Sequence, residues 1–410
     1  MKPLPAAPFA PHGGKHWWER TDLGFSNGEL CFAGHSVAAL ACWSDRPVFL
    51  YSGERALANL ARLQAALDSA SVSSALLLAI KANRFPPLLT TLARSGRCGA
   101  DVCSPNEIKA ALSAGFPAET ISFTATSLSD DDLARVARHP GIAVNLDSLS
   151  ALQRFGERAP GRTIGLRINP EIGVGGSAKL TYSGQKPTKF GIYSEQWPEA
   201  LAIVRQYQLR VSTLHVHAGC GYLTEQLTSW RAAIDRALSL RPYLPDLACF
   251  NVGGGLGVPH TATWGALDLR LWAQALHRTF AKTGLSVLVE PGDFIVKDAG
   301  LLVLKVNGVE DKGGTRFVSV NGGFNLAPEP VFYNLPCEPV PCRLRAGPER
   351  RVTLAGNINE ALDLWYEDIM LPPLAEGDSI AFLNAGGYAS SMSSNHCLRG
   401  DFEEILVPQS

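Results

Sequence analysis

Eight short apolar runs, each followed by an amphipathic stretch, occupy residues 74–290 of this 410-residue chain. Such alternation is typical of a β-strand followed by an α-helix. Eight repeats predict an α/β fold in which the strands close into a (β/α)8 barrel. Residues 105–114 and 130–138 have helical spacing, with Ser129 as a candidate cap of the second helix. The runs are SALLLAI (74–80), GADV (99–102), TISFT (120–124), GIAVNL (141–146), TIGLRI (163–168), STLHVH (212–217), CFNV (249–252) and SVLVE (286–290).

The pattern changes after residue 300, where alternating runs separated by Gly and Pro predict antiparallel β-structure. The segment GELCFAG (28–34) predicts a strand that could pair with this C-terminal sheet, while VFLYSGERALANLARLQAAL (48–67) predicts a strand and helix before the first barrel run. We therefore expect a barrel domain over residues 46–298 and a β domain formed by residues 1–45 and 299–410.

Composition excludes several classes of protein. Lys plus Arg number 37 and Asp plus Glu 38, so a net charge of −1 gives no attraction for nucleic acid or an anionic membrane. The apolar runs are too short to span a bilayer, and residues 1–15 lack the apolar segment of a secretory signal. Nine cysteines without CxxC pairs indicate neither a disulfide framework nor a zinc site, so we expect a reducing cytoplasm.

A lysine and a glycine triplet at strand ends indicate an active site, because the reacting groups of such barrels lie at the carboxyl ends of the strands. Lys81 follows an apolar run, where burial should lower its pKa and suit it to forming a Schiff base. The alternative is a lysine that reaches the barrel rim. Gly253, Gly254 and Gly255 follow the seventh run and could bind phosphate through backbone N–H groups, or simply form a flexible turn.

The remaining strand ends carry a carboxylate and two imidazoles. Glu290 ends the eighth run and could pair with a protonated ring nitrogen, or with Arg167 as a salt bridge. His215 and His217 should share one face of the sixth strand. Because no further metal ligand stands at suitable spacing, we expect no metal and favour a histidine stacked on a planar cofactor over a hydrogen-bonded core histidine.

A Schiff-base lysine, a phosphate-binding loop and a carboxylate for a ring nitrogen together match the three handles of pyridoxal phosphate. The chain resembles the fold type III pyridoxal-phosphate decarboxylases, which include diaminopimelate and ornithine decarboxylases. The matching segments are AIKAN (79–83), GADVCSPNEI (99–108), ISFTATSLSDDDL (121–133), LRINP (166–170), KFGI (189–192), LHVHAG (214–219), VGGGLG (252–257), EPG (290–292) and NAGGYASSMSSN (384–395).

The resemblance implies an alanine racemase-like fold and a head-to-tail homodimer with active sites shared between subunits. It implies that Lys81 forms the Schiff base, that His217 stacks on the ring and that Glu290 holds the ring nitrogen. The other cofactor-binding residues that it implies are Asp101, Arg167, Cys220, Gly253, Gly254, Gly255, Gly292 and Tyr388.

Departures from the family pattern bear on the substrate. Asp293 and Glu329 stand where diaminopimelate decarboxylases usually have arginines that hold a distal carboxylate. Asn359 replaces a cysteine that the family commonly supplies across the dimer, next to Glu360, which leaves the proton donor open between Lys81 and a group near Asn359. Cys220 replaces a serine that binds phosphate in many relatives.

The segments EPGD (290–293), GFN (323–325), FYNLP (332–336) and GNINEALD (356–363) resemble the siderophore-pathway branch, which decarboxylates citrate-conjugated amino acids such as citryl-diaminopropionate. We therefore expect a substrate of that class, with Tyr333 among its contacts. His396 and Arg399 are candidate anion contacts, and the alternative for each, which the sequence favours, is a solvated loop. An alternative is a decarboxylase of free diaminopimelate, lysine or ornithine, in which Asp293, Glu329 or Glu360 binds the distal ammonium. A catalytically silent regulatory relative and a racemase are further alternatives.

Overall fold

The computed structural model describes residue 9, residues 15–184 and residues 186–409. It divides the chain into two compact units. The barrel unit contains Leu57–Val258 and Gly265–Ile295, and the β unit contains the described residues of Met1–Ala56, Pro259–Trp264 and Val296–Ser410. Part of the expected N-terminal segment, residues 1–8 and 10–14, lies outside the described residues.

The strands, in chain order, are β1 (Leu23–Ser26), β2 (Glu29–Phe32), β3 (His35–Ser36), β4 (Val48–Tyr51), β5 (Ser74–Ala79), β6 (Gly99–Val102), β7 (Ile121–Ala125), β8 (Ala143–Leu146), β9 (Thr163–Arg167), β10 (Arg210–His215), β11 (Cys249–Asn251), β12 (Ser286–Val289), β13 (Gly300–Lys312), β14 (Thr315–Val320), β15 (Pro339–Pro341), β16 (Arg350–Ala355), β17 (Leu364–Leu371), β18 (Ser379–Phe382) and β19 (Glu403–Leu406). The helices are α1 (Val37–Ala41), α2 (Gly53–Ser69), α3 (Pro86–Arg94), α4 (Pro105–Ala114), α5 (Asp130–Ala137), α6 (Leu149–Arg158), α7 (Trp197–Gln206), α8 (Leu227–Leu238), α9 (Leu269–Phe280), α10 (Asp293–Val296) and α11 (Glu329–Tyr333).

The barrel unit confirms the predicted architecture. Strands β5 to β12 form a closed barrel in which each strand pairs in parallel with the next, and β12 pairs with β5. Each of the eight apolar runs contains or overlaps one of these strands. Because all eight strands point the same way, their carboxyl ends lie at one edge of the barrel, where polar residues follow the apolar ones.

Local sequence signals explain where the barrel helices begin and end. Ser129 caps α5, and its side chain and that of Asp132 form the reciprocal bonds of a capping box. Ser104 caps α4, which ends at Gly115 with a left-handed φ of 99°. The expected cap at Ser129 is therefore confirmed, and each such cap contributes about 1 kcal/mol to helix stability.

The β unit holds two sheets. Strands β1, β2 and β3 form a small antiparallel sheet. The larger, eight-stranded sheet has the order β15-β18-β13-β14-β16-β17, with β4 paired to β13 and β19 paired to β4. Most of its pairs are antiparallel, and the exceptions are β14 with β16 and β19 with β4. The apolar core includes Leu50, Leu301, Val303, Ala381 and Leu383.

Two N-terminal strands are placed differently from the sequence-based expectation. GELCFAG forms β2 of the small sheet, and only an isolated bridge joins Glu29 to Arg343 of the C-terminal segment. Residues 48–51 form β4 in the β unit, whereas the pattern predicts them in the barrel domain. All four residues of β4 are buried, and β13 and β19 pair with its two edges, so β4 is an inner strand of the larger sheet. In the part of the chain that the structure describes, no helix has the length and apolar character needed to cross a membrane.

Candidate active site

Lys81 lies just beyond the first barrel strand and pairs with a carboxylate of the second. The strand ends at Ala79, and Lys81 is the middle residue of a single 3-10 turn. Its Nζ donates to Oδ2 of the buried Asp101 at 3.0 Å. The strand ends around Nζ partly desolvate it and so oppose the charged ammonium, although the side chain is partly exposed; the carboxylates of Asp101 and Glu290 outweigh this and raise the pKa of Lys81. The prediction that burial lowers the pKa of Lys81 is therefore wrong.

Glu290 follows the eighth strand and is held by two neighbouring strand ends. His215 Nε2 lies 3.0 Å from Oε2, and Asn251 Nδ2 donates to Oε1 at 2.6 Å. Burial favours the neutral acid, but His215, Lys81 and Asn251 outweigh it and lower the pKa of Glu290 to about 2. Glu290 is thus ionised at neutral pH, and its hydrogen bonds go to His215 and Asn251 instead of Arg167.

Asp101 and Glu290 are buried carboxyl groups whose pKa values are pushed in opposite directions. Burial, reinforced by the charge of Glu290, raises the pKa of Asp101 to about 7. When the surroundings move the pKa values of two neighbouring carboxyl groups apart, one group can exchange protons while the other stays charged. Asp101 can exchange a proton near neutral pH while Glu290 stays charged.

His217 is neutral in this site, and its tautomer follows from its contacts. Burial lowers the pKa of His217 well below its usual value, with the charges of Arg167 and Lys81 adding to the effect. The Gly254 N–H donates to Nδ1 at 3.3 Å, so Nδ1 must be the unprotonated nitrogen. Nε2 then carries the proton and points to Cys220 Sγ at 3.4 Å. Cys220 therefore contacts the histidine that is expected to stack on the cofactor.

Close packing of the backbone is one reason why the loop after β11 consists of glycines at positions 253–255. A Cβ on Gly254 would lie 2.0 Å from the carbonyl oxygen of Glu290, and one on Gly255 would lie 1.9 Å from that of Gly219. The Gly253 N–H donates to Asn251 Oδ1 at 2.9 Å, so the N–H groups of Gly253 and Gly254 are both used within the protein. The Gly255 N–H donates to no atom of the described residues and is the one able to bind an anion.

The sequence assigns no role to Asn251 or Asp147, and it predicts His215 only as a neighbour of His217 on one strand face. Asn251 and His215 hold Glu290, and Asp147 is a buried carboxylate directly after β8. Each is the last residue of its barrel strand or the first residue after it, and the strand ends become exact only in the structure. Gly292 is buried and precedes α10, which begins at Asp293.

The donor set of the barrel edge fits pyridoxal phosphate. The Lys81 side chain is 44% exposed, so its amine is accessible at the barrel edge. Glu290 is an ionised, buried acid able to hold a protonated ring nitrogen, while Oδ1 of Asp101 is buried without a partner in the described part of the chain. A lysine, an ionised acid, a neutral histidine and a glycine N–H together provide what that cofactor requires.

Most of the predicted substrate residues lie in the β unit, and the contacts of Glu329 there differ from the prediction. Its side chain forms an ion pair with Lys297, which is fully buried and also donates to the Gly387 carbonyl at 2.9 Å. Glu329 is therefore not a free carboxylate for a substrate ammonium. Tyr333 ends the same helix, α11. Tyr388 has a left-handed φ of 53°, and its ring centroid lies 5.8 Å from Lys297 Nζ.

The loop from residue 356 to 363 presents two predicted residues to solvent. The buried Asp363 carboxylate accepts from the N–H groups of Phe324 and Ile358, at 2.8 and 2.6 Å, and so fixes the loop. Asn359 and Glu360 are exposed. Glu360 pairs with His396, whose Nε2 lies 3.2 Å from Oε1, so these two residues bind each other. Arg399 is exposed and accepts a hydrogen bond from Asn325 through its carbonyl oxygen.

Comparison with known proteins agrees with this chemistry. Residues 57–297 match the family described as "Pyridoxal-dependent decarboxylase, pyridoxal binding domain". Diaminopimelate decarboxylase of Methanothermobacter thermautotrophicus is 31% identical over 398 residues, which cover 93% of this chain and 91% of the relative. The Escherichia coli K12 enzyme of the same name is 31% identical over 328 residues, covering 75% of this chain and 77% of its own.

A solved structure of diaminopimelate decarboxylase from Helicobacter pylori, complexed with L-lysine, superposes with a TM-score of 0.82 at 25% identity, covering 91% of this chain and 94% of its own. These relatives are named for diaminopimelate and not for a siderophore pathway, so the siderophore resemblance gains no support from them. From the match over more than half of its length, this chain belongs to the pyridoxal-dependent decarboxylase family, lyases that use pyridoxal phosphate to decarboxylate amino acids.

Proposed function

We propose that this chain removes the α-carboxyl group of a free amino acid of the class that includes diaminopimelate, lysine and ornithine. The observation that carries the chemistry is Glu290, held ionised by His215 and Asn251 in the same barrel edge as the Lys81–Asp101 pair. The names of the relatives, which are diaminopimelate decarboxylases over nearly the whole chain, support the substrate class.

In this proposal, Lys81 and Asp101 form a hydrogen-bonded pair around one proton of the ammonium. Lys81 must lose a proton before its nitrogen can act as a nucleophile. Asp101 Oδ2 accepts a hydrogen bond from Nζ at 3.0 Å, so it can orient the amine and take part in moving that proton. Because the same carboxylate stabilises the ammonium and raises the pKa of Lys81, the pair by itself keeps the proton on the lysine at neutral pH.

Glu290 and His217 act on the cofactor ring. Bound pyridoxal phosphate supplies an electron sink for the electron pair left when CO2 departs. Glu290 keeps a proton on the ring nitrogen, because an ionised carboxylate favours the protonated partner. His217, being neutral, can lie against the ring without adding a second positive charge. Lys81 or a group near Asn359 and Glu360 then returns the proton to the substrate carbon.

A second candidate substrate is a citrate-conjugated diamino acid such as citryl-diaminopropionate. Two departures favour it: Asp293 stands in place of one expected arginine, and Glu329, in place of the other, is neutralised by Lys297. A distal carboxylate therefore meets a different set of side chains at these two positions from those in diaminopimelate decarboxylases.

A substrate panel separates the two candidates. Purified protein with pyridoxal phosphate is incubated with diaminopimelate, lysine, ornithine and citryl-diaminopropionate, and CO2 release is measured, with Lys81→Ala as the blank. We expect the highest kcat/KM with one of the free amino acids. Faster turnover of the citryl conjugate would reject the free amino acid in favour of the second candidate. Loss of all turnover in the presence of bound cofactor would revive a regulatory role.

We also propose a homodimer whose active sites take Asn359 and Glu360 from the partner subunit. Their exposure on a loop fixed by Asp363 supports this arrangement. Subunits carrying Lys81→Ala are mixed with subunits carrying Asn359→Ala and Glu360→Ala. Mixed dimers would contain one intact site, so the mixture should regain activity that neither parent has. A mixture as inactive as its parents, or a monomer by light scattering, contradicts the proposal.

A further inference from the structure

Asp147 and Arg167 are two buried, oppositely charged side chains at the carboxyl edge of the barrel. Asp147 is 1% exposed and Arg167 is 8% exposed. Within residues 9, 15–184 and 186–409, neither carboxylate oxygen of Asp147 forms a hydrogen bond of standard geometry, and the Thr126 side chain is close enough to interact with it. A buried charge without compensation is costly, so each of these groups requires an explanation.

Arg167 also lacks conventional partners. Its guanidinium lies over the ring of Phe190, 4.8 Å from the centroid, and in the described chain it forms neither a hydrogen bond nor a salt bridge. A guanidinium offers five N–H donors, and stacking satisfies none of them. The guanidinium is therefore stabilised mainly by electrostatic attraction to nearby carboxylates, including those of Asp147 and Glu290.

Strand register places the two charges side by side. Leu146 pairs with Leu166, so Asp147 and Arg167 are the next residues along the adjacent strands β8 and β9. Arg167 in turn pairs with His215 on β10. Adjacent strands lie about 4.8 Å apart, so Asp147, Arg167 and His215 form one layer. Arg167 stands between Asp147 on one side and the His215–Glu290 pair on the other.

The competition for Arg167 has a consequence for Glu290. A buried guanidinium is attracted to the nearest carboxylate, and a direct bidentate pair would be the strongest available arrangement. If Arg167 paired directly with Glu290, the charge of that carboxylate would be neutralised and some of its hydrogen-bond acceptor sites would be occupied. The charge of Asp147, in the same layer but on the opposite side, offsets this attraction.

We propose that Asp147 is a positioning residue, whose carboxylate retains Arg167 in their shared layer and leaves Glu290 free to hold the ring nitrogen of the cofactor. The inference rests on the role proposed for Glu290. Asp147 itself need not touch the cofactor. The charge of Asp147 acts through Arg167, so the effects of replacing the two residues should not be additive.

The test is a double-mutant cycle measured by cofactor binding. Apoenzymes of wild type, Asp147→Asn, Arg167→Gln and the double variant are titrated with pyridoxal phosphate, followed by visible absorbance, and their melting temperatures are recorded. Asp147→Asn is expected to weaken cofactor affinity about tenfold, the effect of about 1.4 kcal/mol. Adding Asp147→Asn to Arg167→Gln should change the affinity less than twofold, because no guanidinium remains to be retained.

Two further variants separate positioning from structure. Asp147→Glu keeps the charge and should retain most of the affinity. Asp268→Asn makes the same chemical change at the cap of α9, where asparagine also caps well, and should leave affinity unchanged. Asparagine matches aspartate in shape but leaves the buried Arg167 without a neighbouring opposite charge, so Asp147→Asn should fold with a lower melting temperature, and the affinities are compared at a temperature at which every variant is folded.

Two results would overturn the proposal: wild-type affinity in Asp147→Asn, or additive effects of Asp147→Asn and Arg167→Gln. Failure of the Glu290 role is recognised separately, because Glu290→Gln would then bind the cofactor with wild-type affinity. None of these titrations depends on finding the substrate.

Discussion

His215 and Glu290, 75 residues apart in the chain, meet across the barrel edge with Nε2 of the histidine 3.0 Å from Oε2 of the acid. The contact is buried, since His215 is 1% exposed and Glu290 6%. It fixes the ionised state of the acid on which the proposed chemistry depends, and it orients the carboxylate together with Asn251.

Replacing Glu290 by glutamine should lower kcat while leaving the protein folded. The amide keeps the size of the side chain but cannot favour a proton on the ring nitrogen. A loss of one preorganised electrostatic contact typically lowers kcat about 100-fold or more. The comparison is steady-state kinetics with the exposed Glu225→Gln as control. A kcat equal to that of the control would refute the assignment of Glu290.

Lys81→Ala should abolish turnover and the visible absorbance band of the Schiff base between Lys81 and the cofactor. Alanine has no amine to bond with the cofactor carbonyl, and Asp101 loses the ammonium that it now binds at 3.0 Å. Absorbance spectra and CO2 release are compared with those of Lys109→Ala, which changes an exposed lysine of α4. Retention of both signals in Lys81→Ala would mean that another amine carries the cofactor.

Gly254→Ala should destabilise the barrel. The added methyl would lie 2.0 Å from the Glu290 carbonyl oxygen, so either the loop after β11 or the end of β12 must move. Overpacking of this kind costs about 1–3 kcal/mol in the free energy of unfolding. Gly265→Ala is the matched control, because nothing lies within 4 Å of its added Cβ. Equal urea midpoints for the two variants would contradict the close approach.

Glu338→Gln should remove part of the pH dependence of stability. Burial raises the pKa of Glu338 to about 7 from an ordinary value of 4.5, so the folded chain binds this proton more tightly than the unfolded chain. The group therefore favours folding below pH 4.5, and this contribution falls as pH rises to about 7. The effect is on the order of 1–3 kcal/mol.

The measurement is urea unfolding of both proteins at pH 5, 6, 7 and 8. Relative to wild type, the glutamine variant should gain stability as the pH rises from 5 to 7 and show no further relative change above that range. A constant difference between the two proteins across the series would show that Glu338 has an ordinary pKa.

Much of the barrel edge was predictable from the sequence. Lys81, Glu290 and the glycine loop were found because each ends or directly follows an apolar run, and the barrel brings all such positions to one edge. Asn251 and Asp147 occupy equivalent positions but matched no known chemical role, so position alone did not single them out. Glu329 was assigned to substrate because its partner, Lys297, lies 32 residues away and no local pattern connects them.

The sequence by itself determined the repeating strand–helix order, the barrel that follows from it, and the residue types at the strand ends, because these depend on local periodicity and capping. Only the tertiary structure decided which of those residues pair and how each pairing shifts a pKa. Lys81 illustrates the reason: its ionisation depends on charges within a few ångströms, and barrel closure supplies them from Asp101 and Glu290, which are distant in the chain.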